Sequence, residues 1–392
     1  MTRTVPALSA LAALGVILAG CTAAPAGAPP TPAGSEPAGH GAVEGAAEMS
    51  EAQSRLLAIA GDGSVTMLDL LTEETRAVGT IGAPAAIASD GRYAFVTTED
   101  GVDIVDGGAW TWDHGDHFHY YRADPAVVGS IAGEGPVTVT TPPLSTATST
   151  GLFFAGSGEA VVLDMESLGE GEIVERFRVD TGAAAGIVAP AGEFAIVATA
   201  SAIVYDETGA RVDEFACAEP SGSIVTRVGT VIGCADGAVL VTADGDGVAA
   251  ERIAYPAGAE RATAFAGRKN RPTVAGLTDG PAFLLLDTRE RAWTEVAVDA
   301  PLRAVVAADD AAENVVALDA DGRVRVYGPD GTERGRTDPL TASADATLTV
   351  DAQRAYLAAP DAGVVYEIDY ADGARVAREL ALPHALAIEV GR

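Results

Sequence analysis

The feature that most constrains this chain is a short apolar run that recurs every 37 to 52 residues. Eight such runs begin at Pro84, Pro136, Ala185, Gly222, Ala262, Arg303, Thr347 and Ala385. Each is followed by a turn, a second apolar segment, a Gly-containing turn, a third segment and a more polar fourth one. Gly, Asp, Pro and Asn separate the segments, which is the pattern of strands and hairpins. Four strands in about 40 residues are typical of a β-propeller blade.

The two ends of the repeat complete each other. The first unit, near Ser54, begins at what looks like a second strand, and the last run, from Ala385, has no strands after it. If the last run supplies the missing innermost strand, the ring closes and its edge strands are protected. We therefore predict an all-β fold: a β-propeller over residues 54–392 with eight four-stranded blades, closed by the C-terminal strand. Seven blades are the alternative, because the insert at 142–150 can hide a miscount.

The N-terminal residues do not follow the repeat. Arg3 precedes an apolar run too short for an ordinary membrane-spanning helix, which predicts a signal peptide over residues 1–20. The sequence Leu-Ala-Gly-Cys that ends at Cys21 resembles a bacterial lipobox, in which the cysteine becomes the lipidated N-terminus. A plain signal peptide with an incidental cysteine is the alternative. Residues 21–53 are rich in Ala, Pro and Gly and lack apolar periodicity, so we predict a flexible tether.

Charge and cysteine content point to a location outside the cytoplasm. The net charge of -31 argues against nucleic acid as a partner and fits a protein that attracts cations. Beyond the lipobox, Cys217 and Cys234 lie at the ends of neighbouring strand-like runs and predict a disulfide. A two-cysteine metal site is the alternative. We expect a monomer that only its lipid holds to the outer face of the bacterial cell membrane.

One segment departs from the repeat. Residues 110–121 read WTWDHGDHFHYY and hold three of the five histidines of the chain. The segment follows the third strand of the second unit, where other units have a short turn, so it is interpreted as an insertion. In an extended segment His117 and His119 project from one face, and the turn after His114 can bring its ring to them. Imidazoles are good ligands for Zn²⁺, so a metal site is predicted; an incidental polar loop is the alternative.

Three histidines leave one position of a tetrahedral site open. His384 precedes the strand that closes the ring, and Asp116 and Asp113 lie in the segment itself. In a propeller, however, the turn between third and fourth strands usually lies at the opposite end from the start of the innermost strand, which weighs against His384. The aspartates can ligate or can orient the imidazole rings. Zinc is the favoured metal, and Cu²⁺ and Ni²⁺ stay open.

The sequence nominates no catalytic residue. The order His-x-Asp-His-x-His reverses the metallo-β-lactamase motif, and the alternating strands and helices of those hydrolases are missing. The sequence has no H-E-x-x-H motif, no G-x-S-x-G elbow and no phosphate loop. A metal hydrolase also needs a placed general base, for which Glu134 alone is weak evidence.

The segment WTWDHGDHFHYY, the cysteine pair and the late Pro-His at residues 383–384 together resemble the AztD-type zinc metallochaperones. The resemblance covers roughly residues 54–392, and HGDHFH is its most specific part. It implies an extracytoplasmic β-propeller that passes zinc to the substrate-binding protein of a zinc ABC transporter. The zinc ligands that it implies are His114, His117 and His119, with His384 and Asp116 as further candidates.

Two other functions stay open at this point. One is a metal-independent propeller scaffold whose acidic face binds a protein. The other is a zinc-dependent hydrolase or lactonase, which would need an open coordination position.

Overall fold

The computed structural model describes residues 41–144, 147–245 and 247–391. The predicted signal peptide, the lipidation site at Cys21 and the first part of the predicted tether lie outside these residues. Within them, none of the helices has the length and apolar character that crossing a membrane requires.

The described residues form 35 strands and one short helix. The first strands are β1 (Ala47–Met49), β2 (Arg55–Ile59), β3 (Ser64–Asp69), β4 (Thr75–Thr80), β5 (Ala86–Ser89), β6 (Tyr93–Thr98), β7 (Gly101–Asp106), β8 (Ala109–Asp113), β9 (Phe118–Arg122) and β10 (Ala126–Ala132). The central elements are β11 (Val137–Thr140), β12 (Ser149–Phe154), β13 (Glu159–Asp164), α1 (Met165–Gly169), β14 (Glu175–Asp180), β15 (Ile187–Ala191), β16 (Phe194–Ala198), β17 (Ala202–Tyr205), β18 (Arg211–Phe215), β19 (Ser223–Val225), β20 (Thr230–Cys234), β21 (Gly237–Asp244) and β22 (Gly247–Ala254). The last strands are β23 (Ala264–Ala266), β24 (Thr273–Leu277), β25 (Ala282–Asp287), β26 (Ala292–Ala297), β27 (Leu302–Ala307), β28 (Val315–Asp319), β29 (Val324–Tyr327), β30 (Glu333–Arg336), β31 (Thr347–Val350), β32 (Ala355–Ala359), β33 (Val364–Asp369), β34 (Arg375–Ala381) and β35 (Leu386–Val390).

These strands pair into eight four-stranded antiparallel sheets and one three-stranded sheet within the described part of the chain. Six of the four-stranded sheets use four consecutive strands, from β11–β14 to β31–β34. The first strands of successive sheets contact one another, as β15 contacts β19, β19 contacts β23 and β27 contacts β31. Such a succession of first strands is what a β-propeller requires. The prediction of an all-β chain is confirmed.

The C-terminal strand completes the first sheet. β35 pairs antiparallel with β2, from Arg55 opposite Val390 to Ile59 opposite Leu386, in the sheet β35-β2-β3-β4. β35 also contacts both β31 and β5, the first strands of the sheets before and after it. The first and last units of the repeat are therefore joined through main-chain hydrogen bonds, as the incomplete first unit of the sequence predicts.

Burial explains why the second strand of each unit is the most apolar. Every residue of β2, β6, β12, β20, β28 and β32 is buried. These strands lie between neighbouring sheets, so both faces need apolar side chains, each contributing roughly 1.5–3 kcal/mol when fully buried. An outer strand such as β4 is exposed along almost its whole length, which accounts for the polar fourth segment.

Cys217 and Cys234 form a disulfide, and both cysteines are fully buried. The bond joins the connection after β18 to the end of β20, across a sequence separation of 17. The predicted disulfide is confirmed, and it occupies the thiols that the alternative metal site would need.

The predicted tether does not extend to residue 53. β1 lies inside that range and pairs with β9, with Ala47 opposite Arg122 and Met49 opposite Tyr120. This three-residue strand is too short to show a period of its own in the sequence. Its partner is the histidine-rich insertion rather than the repeat, so the repeat pattern did not indicate it.

Candidate metal centre

The histidine-rich segment forms a β-hairpin that the repeat does not contain. β8 and β9 pair antiparallel, with Trp110 opposite Tyr121, and β1 adds a third strand to them. The hairpin lies between β7 and β10, the third and fourth strands of one sheet, as the insertion interpretation predicts. At its tip the N–H of His114 donates to the carbonyl of His117 at 3.0 Å. Gly115 has a φ of 89° there, a left-handed conformation that favours glycine.

Buried cations hold the base of the hairpin. The guanidinium of Arg92 lies 3.8 Å from the centre of the Trp110 ring and pairs with Asp106 at 2.7 Å. Nη1 of Arg55 donates to the carbonyls of Gly107 and Gly108, each at 2.8 Å. Cation–π contacts and charge-assisted hydrogen bonds of this kind are strongest when they are shielded from water. The hairpin therefore rises from a fixed base.

The N-terminal segment packs against the same hairpin. Nε1–H of Trp110 donates to the carbonyl of Gly41 at 2.9 Å. The Trp112 ring lies so close to Gly41 that a Cβ there would approach ring carbons to 2.4 Å. The tryptophans of the segment therefore hold the residues before β1 against the hairpin.

The three histidines converge at the tip. Their candidate ligand atoms all lie within 4.8 Å of one another. Nε2 of His117 is 3.1 Å from Nε2 of His119, and the His114 ring centre is 4.9 Å from that of His117. Two imidazoles on one tetrahedral Zn²⁺, with Zn–N bonds of about 2.0–2.1 Å, have nitrogens about 3.3 Å apart. The donor set, and the spacing of the His117 and His119 nitrogens, therefore fit zinc.

Carboxylates orient two of the rings. Asp116 Oδ1 lies 2.8 Å from Nδ1 of His117, and Glu48 Oε1 lies 2.6 Å from Nδ1 of His119. When Nδ1–H donates to a carboxylate, Nε2 keeps its lone pair for a metal, and both Nε2 atoms face the common point. The hydrogen bond from His117 is also the main reason that the pKa of Asp116 is below its usual value.

Glu48 is a functional candidate that the sequence analysis missed. It belongs to β1, in the segment assigned to the tether, and lies opposite Tyr121 in the register of β1 and β9. Pairing with β9 brings its side chain to His119. A lone glutamate in an Ala-rich stretch gives no signal, so only the strand pairing reveals it.

The two aspartates do not join the histidine cluster. Asp113 Oδ1 accepts from the N–H of Gly115 at 2.6 Å, and its Oδ2 accepts from the side-chain amide of Asn270 at 2.8 Å. Asp113 thus closes the turn and ties the hairpin tip to the turn between β23 and β24. Asp116 faces the far side of the His117 ring, where it orients that ring.

His384 also lies apart from the other histidines, contrary to the expectation that ring closure brings it in. It precedes β35, whereas Gly391, beyond the other end of β35, accepts from Thr111 of the hairpin at 3.0 Å. Seven residues of extended chain span roughly 20 Å, so His384 is at the opposite end of the strand. Its Nδ1 bonds to the carbonyl of Leu382, and burial lowers the pKa of its imidazole.

The hairpin tip is open to solvent. Its Asp113 and Gly115 line two clefts of about 610 and 660 Å³. The His117 side chain is 57% exposed and that of His119 is 22% exposed. A metal at this point would be accessible to another protein.

Comparisons with known proteins agree on the fold. No protein-family model and no curated protein sequence matches the chain. The crystal structure of Citrobacter koseri AztD superposes with a TM-score of 0.74 at 19% identity, covering 87% of this chain and 99% of that one. Apo AztD from the same organism gives 0.73 at 18% identity with the same coverage. The dihydro-heme d1 dehydrogenase NirN gives 0.53 at 13% identity, covering 86% of this chain and 75% of that one.

At these identities the similarity establishes the fold. The predicted resemblance to the AztD-type proteins, which rests on the histidine-rich segment, is thereby confirmed at the level of the fold.

Proposed function

We propose that this chain is an extracytoplasmic metallochaperone that binds zinc at its hairpin tip and delivers it to the substrate-binding protein of a zinc ABC transporter. The observation that carries the proposal is the convergence of His114, His117 and His119 on an exposed hairpin of a fold shared with AztD. The AztD-type resemblance of the sequence supplies the identity of the cargo and the recipient.

Zinc would be held by Nε2 of His117, Nε2 of His119 and a ring nitrogen of His114. Asp116 and Glu48 would keep the two Nδ1 atoms protonated and the rings in place. Because His119 lies on β9 and His114 and His117 lie in the adjoining turn, all three ligands belong to one hairpin, and a recipient can replace them one at a time. Exposure of the tip favours this direct transfer.

The positions of the two carboxylates favour zinc binding without catalysis. A zinc hydrolase needs a carboxylate or imidazole placed to deprotonate the attacking water. Asp116 and Glu48 instead bond to the imidazole nitrogens that face away from the cluster. A metal-independent scaffold, for its part, would need neither the converging imidazoles nor their two orienting carboxylates.

We infer that each four-stranded sheet is one blade, which gives eight blades, and that the three-stranded sheet is an addition carrying the site. The buried disulfide fits an oxidising compartment. Anchoring through a lipid on Cys21 and a monomeric state complete the proposal.

Zinc titration of untagged, metal-free protein tests the binding step. One zinc per chain is expected for the unaltered protein, and the double variant His117→Ala/His119→Ala should lose it. His384→Ala is the matched control, since it removes an imidazole at the far end of β35 and should bind zinc normally. Undiminished binding by the double variant would refute the assignment.

A transfer assay tests delivery. Zinc-loaded protein is mixed with the metal-free substrate-binding protein in the presence of a chelator that captures free zinc. Direct delivery predicts that the recipient fills while the chelator stays empty. If the chelator intercepts the zinc, the protein binds the metal but does not hand it over by contact.

A further inference from the structure

A second cleft beside the hairpin concentrates positive charge in an acidic protein. It has a volume of about 660 Å³, and its lining includes Phe118 and Tyr120 of β9 together with Arg227, Arg268 and Arg271. The arginines lie on the turns β19–β20 and β23–β24, which follow the first strands of two successive sheets. The chain has 25 basic residues against 56 acidic ones, so three arginines in one cleft need an explanation.

These arginines differ from most others in having no carboxylate partner. Elsewhere, arginines such as Arg211 and Arg289 form ion pairs. In the part of the chain that the structure describes, Arg227, Arg268 and Arg271 form no ion pair with Asp or Glu. Arg227 donates instead to the carbonyl of Asn270 at 2.9 Å, and Arg268 to that of Asp309 at 3.2 Å.

Arg268 is the most constrained of the three. Its Nε is buried and bonds to no acceptor among the described residues. Burial and the nearby charge of Arg271 lower the pKa of its guanidinium, and the smaller opposing effects of Asp309 and Asp310 do not offset them. Two like charges in a partly buried cleft repel each other, and an anion between them would offset that repulsion.

Two aspartates, Asp113 and Asp351, line the cleft beside the three arginines, so they offset only part of its positive charge. Asp113 accepts from Gly115 and Asn270, as described above. Asp351 accepts from the backbone N–H groups of Gln353 and Arg354 at 2.7 and 2.6 Å. Lys269 also lines the cleft, but its charge acts on the buried carboxylate of Asp90.

We propose that this cleft is a binding site for a carboxylate-bearing ligand, held by Arg227, Arg268 and Arg271. The planar guanidinium group matches a carboxylate with two parallel hydrogen bonds. Phe118 and Tyr120 provide apolar surface for the rest of the ligand. The carboxylate can belong to a free dicarboxylic acid or to an acidic segment of another protein, and the site is independent of the zinc proposal.

Calorimetric titration of the full chain, metal-free at neutral pH, tests the site with two probes. Succinate represents the free acids, and an acetylated tetra-aspartate peptide represents acidic protein segments. Binding of either probe is expected, and Arg227→Gln/Arg271→Gln should weaken it by about tenfold or more. A peptide that binds more tightly than succinate identifies a protein segment as the ligand; the reverse order identifies a free acid.

Arg211→Gln/Arg289→Gln is the matched control, because it removes the same charge at exposed arginines outside the cleft. It should bind both probes normally. Thermal unfolding checks that the cleft variant is folded. Arg271→Lys keeps the charge but loses the two parallel hydrogen bonds, so it should bind more weakly than the unaltered protein and more tightly than Arg271→Gln. Failure of the unaltered protein to bind either probe, or an equal loss in the control, would overturn the proposal.

Discussion

Glu48 Oε1 lies 2.6 Å from Nδ1 of His119, although 71 residues separate the two in the sequence. The contact exists because β1 pairs with β9. It joins the N-terminal segment to the candidate metal centre, so the position of that segment and the orientation of a ligand are physically coupled.

Replacing Glu48 by Ala should weaken zinc binding by roughly 10- to 100-fold, the usual effect of losing a carboxylate that orients a ligating imidazole. Without it, the His119 ring can rotate and its Nδ1 proton is no longer fixed. Competition with a chelator of known zinc affinity measures the change. Glu44→Ala removes the same charge from the same segment without touching a histidine and should leave the affinity as it is. Equal affinities for the two variants would show that Glu48 does not orient the site.

Much of the fold could be predicted from the sequence because the repeat is long and regular. The eight apolar runs correspond to the first strands of the eight four-stranded sheets, and the lone run at Ala385 predicts the pairing of β35 with β2. The second strands strengthen the pattern, since six of the eight are buried at every residue and need apolar side chains on both faces. The strand β1 could not be predicted, because it pairs with the inserted hairpin and lies outside the repeat.

The candidate site was predictable only as far as local chain geometry reaches. Alternation along an extended segment places His117 and His119 on one face, and the turn at Gly115 adds His114. Glu48 and Asn270 contact the hairpin from distant parts of the sequence, which no local pattern reveals. The expectation for His384 was wrong. Histidine is a common metal ligand, but His384 lies at the end of β35 that is opposite to the hairpin.

Removing the disulfide should destabilise the fold without altering the metal centre. The double variant Cys217→Ser/Cys234→Ser frees a closed loop of about 17 residues, which corresponds to about 3 kcal/mol of unfolding free energy. Denaturant unfolding of the variant and the unaltered protein measures this difference. Zinc affinity should stay the same, because neither cysteine belongs to the hairpin. A large loss of affinity would mean that the disulfide holds the site as well as the sheet.

His384 should make metal-free protein sensitive to mild acid. Burial places the pKa of the folded-state imidazole below the unfolded value, which is about 6.5. As pH falls below that value, the unfolded chain takes up a proton that the folded chain does not. Stability is therefore lost as pH falls, by at most about 1.4 kcal/mol per pH unit from this group. Denaturant unfolding at pH 7.5 and 5.5 should show a smaller loss for His384→Gln than for the unaltered protein. Identical losses would contradict a neutral buried imidazole.

Gly115 offers a test of whether turn geometry, rather than the histidines alone, creates the metal centre. No atom of the described residues lies within 4 Å of the position that its Cβ would occupy, so among them a side chain there meets only the cost of the left-handed backbone at φ 89°. Valine is strained in this region by about 1–3 kcal/mol, whereas asparagine tolerates it. Gly115→Val should therefore open the turn, separate His114 from His117 and weaken zinc binding by about tenfold or more. Gly115→Asn should bind within about threefold of the unaltered protein, because a change of about 0.6 kcal/mol corresponds to that ratio. Chelator competition measures the zinc affinity of both variants. Equal losses of affinity would mean that side-chain bulk, and not backbone strain, disturbs the site. No loss in either variant would show that the turn does not set the position of His114.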